Sequence, residues 1–118
     1  MLNLKDPSLL KTQNFIDGQW ADGGAGTIDV TNPANGEVVA TVANSDAADT
    51  IRAVEAAAEA FKSWSNIPAK QRAVLLRNWY DLLMANADDL GAIMTAEQGK
   101  PLAESITEVG SGASFIEY

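Results

Sequence analysis

The residues best suited to chemistry lie in one short stretch, residues 95–105, where carboxylates and a lysine flank a Gly-Lys-Pro sequence. Glu97 stands two residues before Gly99, a glycine that we expect to end a helix. Because the helix dipole disfavours a carboxylate near a helix C-terminus, Glu97 should have a cationic partner. Lys100 is one candidate for that partner, and a bound metal ion is the other.

A second pair of carboxylates, Glu104 and Glu108, is spaced by about one helical turn. This spacing brings both onto one helix face, where they could act as an acid–base pair or form an ordinary solvated acidic face. Paired-carboxylate catalysis needs an apolar environment around one member, and the neighbouring sequence offers none. We therefore favour the solvated face.

The composition excludes several classes of site. The sequence has no Cys and no His, so its 118 residues contain no thiol nucleophile, disulfide, Ser-His couple or zinc site of the usual kind. The net charge of −8 argues against nucleic acid as a partner. No apolar run approaches the length of a membrane span, and the first residues lack the pattern of a secretory signal. We expect a cytoplasmic protein that binds neither nucleic acid nor membrane.

The predicted elements are β-hairpins followed by helices, which together make an α+β segment. Residues 1–13 are expected to form a loosely held arm, residues 14–43 the hairpins and residues 45–118 three or four helices. Asp17-Gly18 is typical of a tight type I′ turn, and the turn at 32–36 ends in a glycine that tolerates positive φ.

Helical spacing predicts which faces pack inward. Ser45 is the expected N-cap of the first helix. The expected inward residues are Ile51, Val54, Ala58 and Phe61 on the first helix, Leu75, Trp79, Leu82 and Met84 or Leu83 on the second, and Leu102, Ile106, Val109 and Phe115 on the last. The last helix has no stop signal before Tyr118, so we expect the chain to be a truncated part of something longer.

Two glycine-rich stretches are candidates for binding sites. Residues 23–26 precede a strand rather than a helix, so a loop is favoured over a phosphate cradle. Residues 110–113 lie within a helix, where small side chains allow either close packing or a narrow substrate channel. Both interpretations of the second stretch stay open.

Several stretches together resemble the aldehyde dehydrogenase family. They are residues 15–20, 30–38 and 53–61 and, most specifically, Glu97-Gln98-Gly99-Lys100-Pro101. The match runs in unbroken order over residues 14–118. Residues 76–80 and 113–117 add a resemblance to bacterial succinate-semialdehyde dehydrogenases.

The resemblance implies that residues 14–118 are the N-terminal part of a cofactor-binding domain in an α/β parent protein. That parent would use NAD or NADP to oxidise an aldehyde, most specifically succinate semialdehyde, and would be a homo-oligomer, either a dimer or a tetramer. Another aldehyde such as glutarate semialdehyde, or a non-catalytic interaction fragment, is the alternative. The family's catalytic Cys and Glu and its nucleotide-binding strands are expected outside this segment, so the segment alone should be inactive.

Four residues match positions to which the family assigns a role. The carbonyl of Thr31 and the carboxylate of Glu97 match a monovalent-cation site for Na⁺ or K⁺ found in some members. Gly112 and Phe115 match the helix that lines the family's substrate tunnel. No catalytic or cofactor-binding residue is assigned to the segment.

Overall fold

Over residues 2–118, the computed structural model contains four strands, four α-helices and a short 3₁₀ helix at Pro7–Leu9. The strands are β1 (Asn14–Ile16), β2 (Gln19–Ala21), β3 (Thr27–Thr31) and β4 (Val38–Ala43), and the helices are α1 (Ala47–Trp64), α2 (Ala69–Ala85), α3 (Ala87–Gln98) and α4 (Leu102–Glu117). β1 pairs with β2, and β3 pairs with β4. The predicted α+β order is confirmed. None of the helices within residues 2–118 has the length and apolarity that crossing a membrane requires.

The chain divides into two compact units. The strand unit comprises residues 11–30 and 40–67, and the helix unit comprises residues 2–10, 31–39 and 68–118. In the strand unit α1 packs against β1. The first helix therefore belongs with the first hairpin and not with the three later helices.

The first hairpin forms as its turn residues predict. Asp17 and Gly18 have φ values of 52° and 72°, which a type I′ turn requires at both central positions. The turn sets a register in which Phe15 lies opposite Trp20, and their ring centroids are 5.0 Å apart. This aromatic pair stabilises a hairpin of only three residues per strand.

The N-terminus of α1 is capped by Asp46, so the prediction of Ser45 was wrong. Asp46 accepts from the backbone N–H of Asp49 at 3.0 Å, and Asp49 accepts from that of Asp46 at 3.1 Å, forming a capping box. The hydroxyl of Ser45 instead accepts a hydrogen bond from the side-chain amide of Asn14 at 2.8 Å. Asp46 is preferred as the N-cap over Ser45 because Asp49, three residues later, can return a hydrogen bond to it.

Asp49 also ties the loop before β3 to this helix. Its carboxylate accepts from the backbone N–H of Gly24 at 2.7 Å and from the guanidinium of Arg52 at 2.8 Å. The backbone hydrogen bonds from Gly24 and Asp46 lower the pKa of Asp49 below its ordinary value, although its burial acts the other way. The charged form is therefore the one that holds the loop.

The apolar face predicted for α1 is not covered by this chain. Ile51, Val54 and Phe61 are each more than half exposed. The half-buried residues of α1 are instead Ala53, Ala56 and Trp64, and the predicted inward residue Ala58 is exposed. Helical periodicity identified an apolar face correctly but could not show that the chain would leave it uncovered.

In the helix unit, α4 packs against both α2 and α3. Its buried residues are Ser105, Val109 and Ala113, which recur every fourth position on one face. Of the predicted inward residues only Val109 is buried, whereas Phe115 is 82% exposed. No residue of α2 is buried, and Leu75, Trp79, Leu82 and Met84 are exposed while Leu83 is half-buried. The interior therefore consists of small side chains, not the bulky ones that periodicity predicted.

Replacing Asp49 by Asn should lower the free energy of unfolding at neutral pH and make that free energy less dependent on pH. Since the pKa of Asp49 is lowered by folding, its carboxylate stabilises the native state above the unfolded pKa of about 3.9, and that contribution is lost as the pH falls through the folded pKa. Urea unfolding at about pH 7 and about pH 3 measures both effects.

Glu55→Gln, at an exposed position on the same helix, is the control and should keep the native pH profile. An Asp49→Asn protein with the same urea midpoint as the native protein at both pH values would contradict this role.

Candidate functional site

The helix unit has an open groove of about 640 Å³ walled by α2, α3 and α4. Its lining is mostly apolar, and its polar rim is formed by Glu97, Gln98 and Glu108. The apolar lining residues are Trp79, Leu83, Leu90, Ile93, Met94, Val109, Gly112, Ala113 and Ile116. Such a lining favours a small ligand with a carbon chain over a highly charged one.

Two of the sequence-predicted site residues line this groove and two do not. Gly112 lies in its wall and Glu97 on its rim. Phe115 is exposed and is not among the lining residues, and α4 presents Ile116 there instead. Around the helix axis, position 116 is turned about 40° from position 112 and position 115 about 60° in the opposite direction, so the groove meets Gly112 and Ile116 but not Phe115.

Lys100 does not serve as the partner of Glu97. Its ammonium group binds the carboxylate of Glu108, one of the two carboxylates considered as an acid–base pair. Glu104 is exposed to solvent. With Glu108 neutralised by a lysine and Glu104 in water, the geometry supports the solvated face, not paired-carboxylate catalysis.

Glu97 is an exposed carboxylate in the last turn of α3. Thr31 is likewise exposed, at the end of β3. The segments next to these two residues meet: Asn32 and Ala34 line a groove of about 360 Å³ together with Ala96 and Gly99. The structure thus brings together the neighbours of Thr31 and Glu97, the two residues matched to a cation site.

Gly99 allows this approach. Its φ of +76° is left-handed, and its N–H donates to the carbonyl of Thr95 at 2.8 Å, which ends α3 as predicted. A Cβ at Gly99 would lie 2.9 Å from Cγ of Pro33. The glycine is therefore required both for the helix end and for contact with the turn at residues 32–36.

Oxygen atoms are the only donors that the two candidate residues offer. A backbone carbonyl and a carboxylate are hard ligands of the kind that Na⁺, K⁺ and other hard cations take. Within residues 2–118 no group of three or more Asp or Glu side chains is arranged to hold a metal ion.

The close helix contact is at Gly91, a residue that the sequence did not single out. A Cβ there would lie 2.6 Å from Cγ1 of Ile106, so only glycine lets α3 and α4 approach this closely. Thr95 and Ser105 then form a hydroxyl–hydroxyl hydrogen bond of 2.9 Å between the same helices. Two features of the sequence could have indicated this contact between helices. Gly91 interrupts a helical pattern, and Ser105 lies four residues before Val109, on the same helix face.

The glycines at 110 and 112 have no such contact. A Cβ at either position would find nothing within 4 Å outside its own helix. Residues 2–118 therefore supply no close-packing partner for these two glycines.

Comparison with known proteins identifies the family. The model of the aldehyde dehydrogenase family matches residues 20–118. The chain belongs to the aldehyde dehydrogenase family. It is 53% identical to a 3-sulfolactaldehyde dehydrogenase of Pseudomonas putida, covering 100% of this chain and 24% of that protein. It is 49% identical to a glutarate-semialdehyde dehydrogenase of Pseudomonas putida, covering 99% and 25%.

The fold agrees with solved structures of the family. The succinate-semialdehyde dehydrogenase of Burkholderia pseudomallei superposes with a TM-score of 0.93 at 50% identity, covering 98% of this chain and 24% of that one. The chain therefore spans about a quarter of the length of these aldehyde dehydrogenases, and it matches their N-terminal segment.

Gly99→Ala should lower the free energy of unfolding by at least about 1–2 kcal/mol, because alanine in a left-handed conformation is strained. The clash with Pro33 adds to that cost. Gly112→Ala is the control. It lies inside α4 with open space around it and should be neutral or stabilising by up to about 1 kcal/mol. Urea denaturation measures both, and equal stability of the two variants would refute the requirement for glycine at 99.

Proposed function

We propose that this chain is part of an NAD(P)-dependent dehydrogenase that oxidises a small aldehyde carrying an anionic group, with succinate semialdehyde as the preferred substrate. The similarity to the three named relatives carries the proposal. Their names specify 3-sulfolactaldehyde, glutarate semialdehyde and succinate semialdehyde, and each of these aldehydes bears a sulfonate or a carboxylate. Glutarate semialdehyde is the second candidate, supported by the relative of that name.

In this proposal the chain supplies an apolar wall for the substrate and none of the groups that react with it. It has no Cys or His to attack an aldehyde or to move a proton, so the nucleophile and the dinucleotide site would lie in other residues of a longer protein. Within the chain, the groove beside Gly112 has the apolar wall that an aldehyde's carbon chain needs. We assign Gly112 to the substrate tunnel because the space above its Cα is open. Phe115 is exposed on the same helix and does not line the groove, so its assignment to the tunnel rests on the family resemblance alone.

We further propose that Thr31 and Glu97 bind a monovalent cation, either Na⁺ or K⁺. Support comes from the meeting of their neighbouring segments at Gly99 and from the oxygen donors that they present. A cation there would also offset the unfavourable position of the Glu97 carboxylate near the C-terminus of α3. Its role would be to hold the turn at 32–36 against the end of α3.

The purified full-length protein should reduce NAD or NADP with succinate semialdehyde at a kcat/KM at least tenfold above that with an uncharged aldehyde of equal length. The loss of an anion-pairing contact commonly costs a factor of this order, since about 1.4 kcal/mol is tenfold. Absorbance of the reduced nicotinamide measures the rate.

Butanal is the matched control, because it keeps four carbons without the carboxylate. A higher kcat/KM with glutarate semialdehyde would favour the second candidate, and equal activity with butanal would contradict an anion-recognising enzyme. Intact mass identifies the species assayed: 12.5 kDa is the chain alone, which we expect to be inactive, and an enzyme of its relatives' length is roughly four times heavier.

Glu97→Gln should abolish the stabilisation that KCl or NaCl provides beyond choline chloride at equal ionic strength. A ligand that binds only the native state raises the melting temperature, here by a few degrees at saturation. Glu104→Gln is the matched control, because it removes the same charge from an exposed site on α4. Thermal melting measures the effect, and an unchanged alkali-cation response in the Glu97→Gln protein would refute the site.

A further inference from the structure

Residues 2–10, the arm of the helix unit, are attached to α3 by one buried carboxylate, that of Asp89. Oδ1 of Asp89 accepts the backbone N–H of Lys5 at 3.0 Å, and Oδ2 accepts that of Asp6 at 2.8 Å. Both oxygens of a side chain in the first turn of α3 therefore bind backbone more than 80 residues away in sequence. The arm that was expected to be loosely held has a specific attachment point.

The rest of the arm is weakly attached. Asp89 is 5% exposed, whereas no residue from 2 to 10 is buried. Lys5 also binds Asp88 at 2.8 Å, and this hydrogen bond raises the pKa of Lys5, but both side chains are exposed. Exposed ion pairs contribute little to stability, so the Asp89 hydrogen bonds hold the arm more firmly than the Lys5–Asp88 pair does.

A groove of about 810 Å³ lies beneath the arm. One wall is made by the arm and the other by the turn after β3, the start of β4 and the end of α3. The arm contributes Leu2, Leu4, Pro7 and Leu10, and the opposite wall contributes Asn32, Asn35, Glu37, Val38, Val39 and Ala96. Leu2, Leu4 and Leu10 are half-buried, so their side chains cover the groove only in part.

We propose that residues 2–10 are a releasable strap that closes this groove, with Asp89 as its clasp. Segments with few buried apolar contacts open locally at low free energy, while the surrounding core stays folded. Val38 is already 55% exposed, and opening would uncover the half-buried Val39 and Ala96. This inference does not rest on the proposed dehydrogenase activity.

Hydrogen–deuterium exchange of the peptide spanning residues 2–10, in the full-length protein, tests the clasp. Asp89→Asn should raise its exchange rate at least tenfold, because an amide presents a donor where two N–H groups need an acceptor. Asp88→Asn loses only the surface ion pair and should stay within twofold of the native rate. Circular dichroism confirms that each variant is folded, and an apolar fluorescent dye should bind more strongly to Asp89→Asn.

A second pair of variants leaves α3 untouched in case Asp89→Asn does not fold. Lys5→Ala and Lys5→Pro both lose the ion pair with Asp88, but only proline also removes the N–H that Asp89 accepts. The strap predicts fast exchange in Lys5→Pro and near-native exchange in Lys5→Ala. Equal exchange in these two variants, or native exchange in a folded Asp89→Asn protein, would overturn the proposal.

Discussion

The close approach of α3 to α4 at Gly91 is the constraint on which the helix unit depends. Because Gly91 has no side chain, Ile106 can lie directly against the backbone of α3, and Ser105 can reach Thr95. The same approach buries the face of α4 that carries Val109 and Ala113. A Cβ at position 91 would lie 2.6 Å from Cγ1 of Ile106, so any side chain there would push α3 and α4 apart.

Local chemistry made the turns and helix ends predictable from sequence. The Asp17-Gly18 turn and the left-handed Gly99 need only their own backbone and immediate neighbours, so residue type is sufficient. The order of strands and helices could be predicted from hydrophobic periodicity, because that pattern too depends only on residues close together in sequence. The candidate cation residues came from a family resemblance, and the structure adds that their neighbouring segments meet at Gly99.

Partner choice and burial were not predictable in this way. Lys100 is three residues from Glu97 and eight from Glu108, yet it binds Glu108, because the direction of α4 after Pro101 decides which carboxylate is near. Burial depends on what covers a face. Phe61 and Phe115 lie where periodicity expects packing, and both are exposed in this chain. The clasp at Asp89 joins residues more than 80 positions apart and has no signature in sequence.

The turn at residues 32–36 also affects how fast Asn35 can deamidate. Asn-Gly sequences convert slowly to aspartate through a succinimide, when the glycine nitrogen attacks the asparagine side chain. Here the N–H of Gly36 donates to the carbonyl of Asn32 at 2.8 Å, and the side chain of Asn35 is bonded to Glu37 through both its oxygen and its nitrogen. Neither reacting group is free to meet the other while the turn is folded. The same hydrogen bonds that shape the turn therefore protect the chain from gaining a further negative charge beside the segment that meets Gly99.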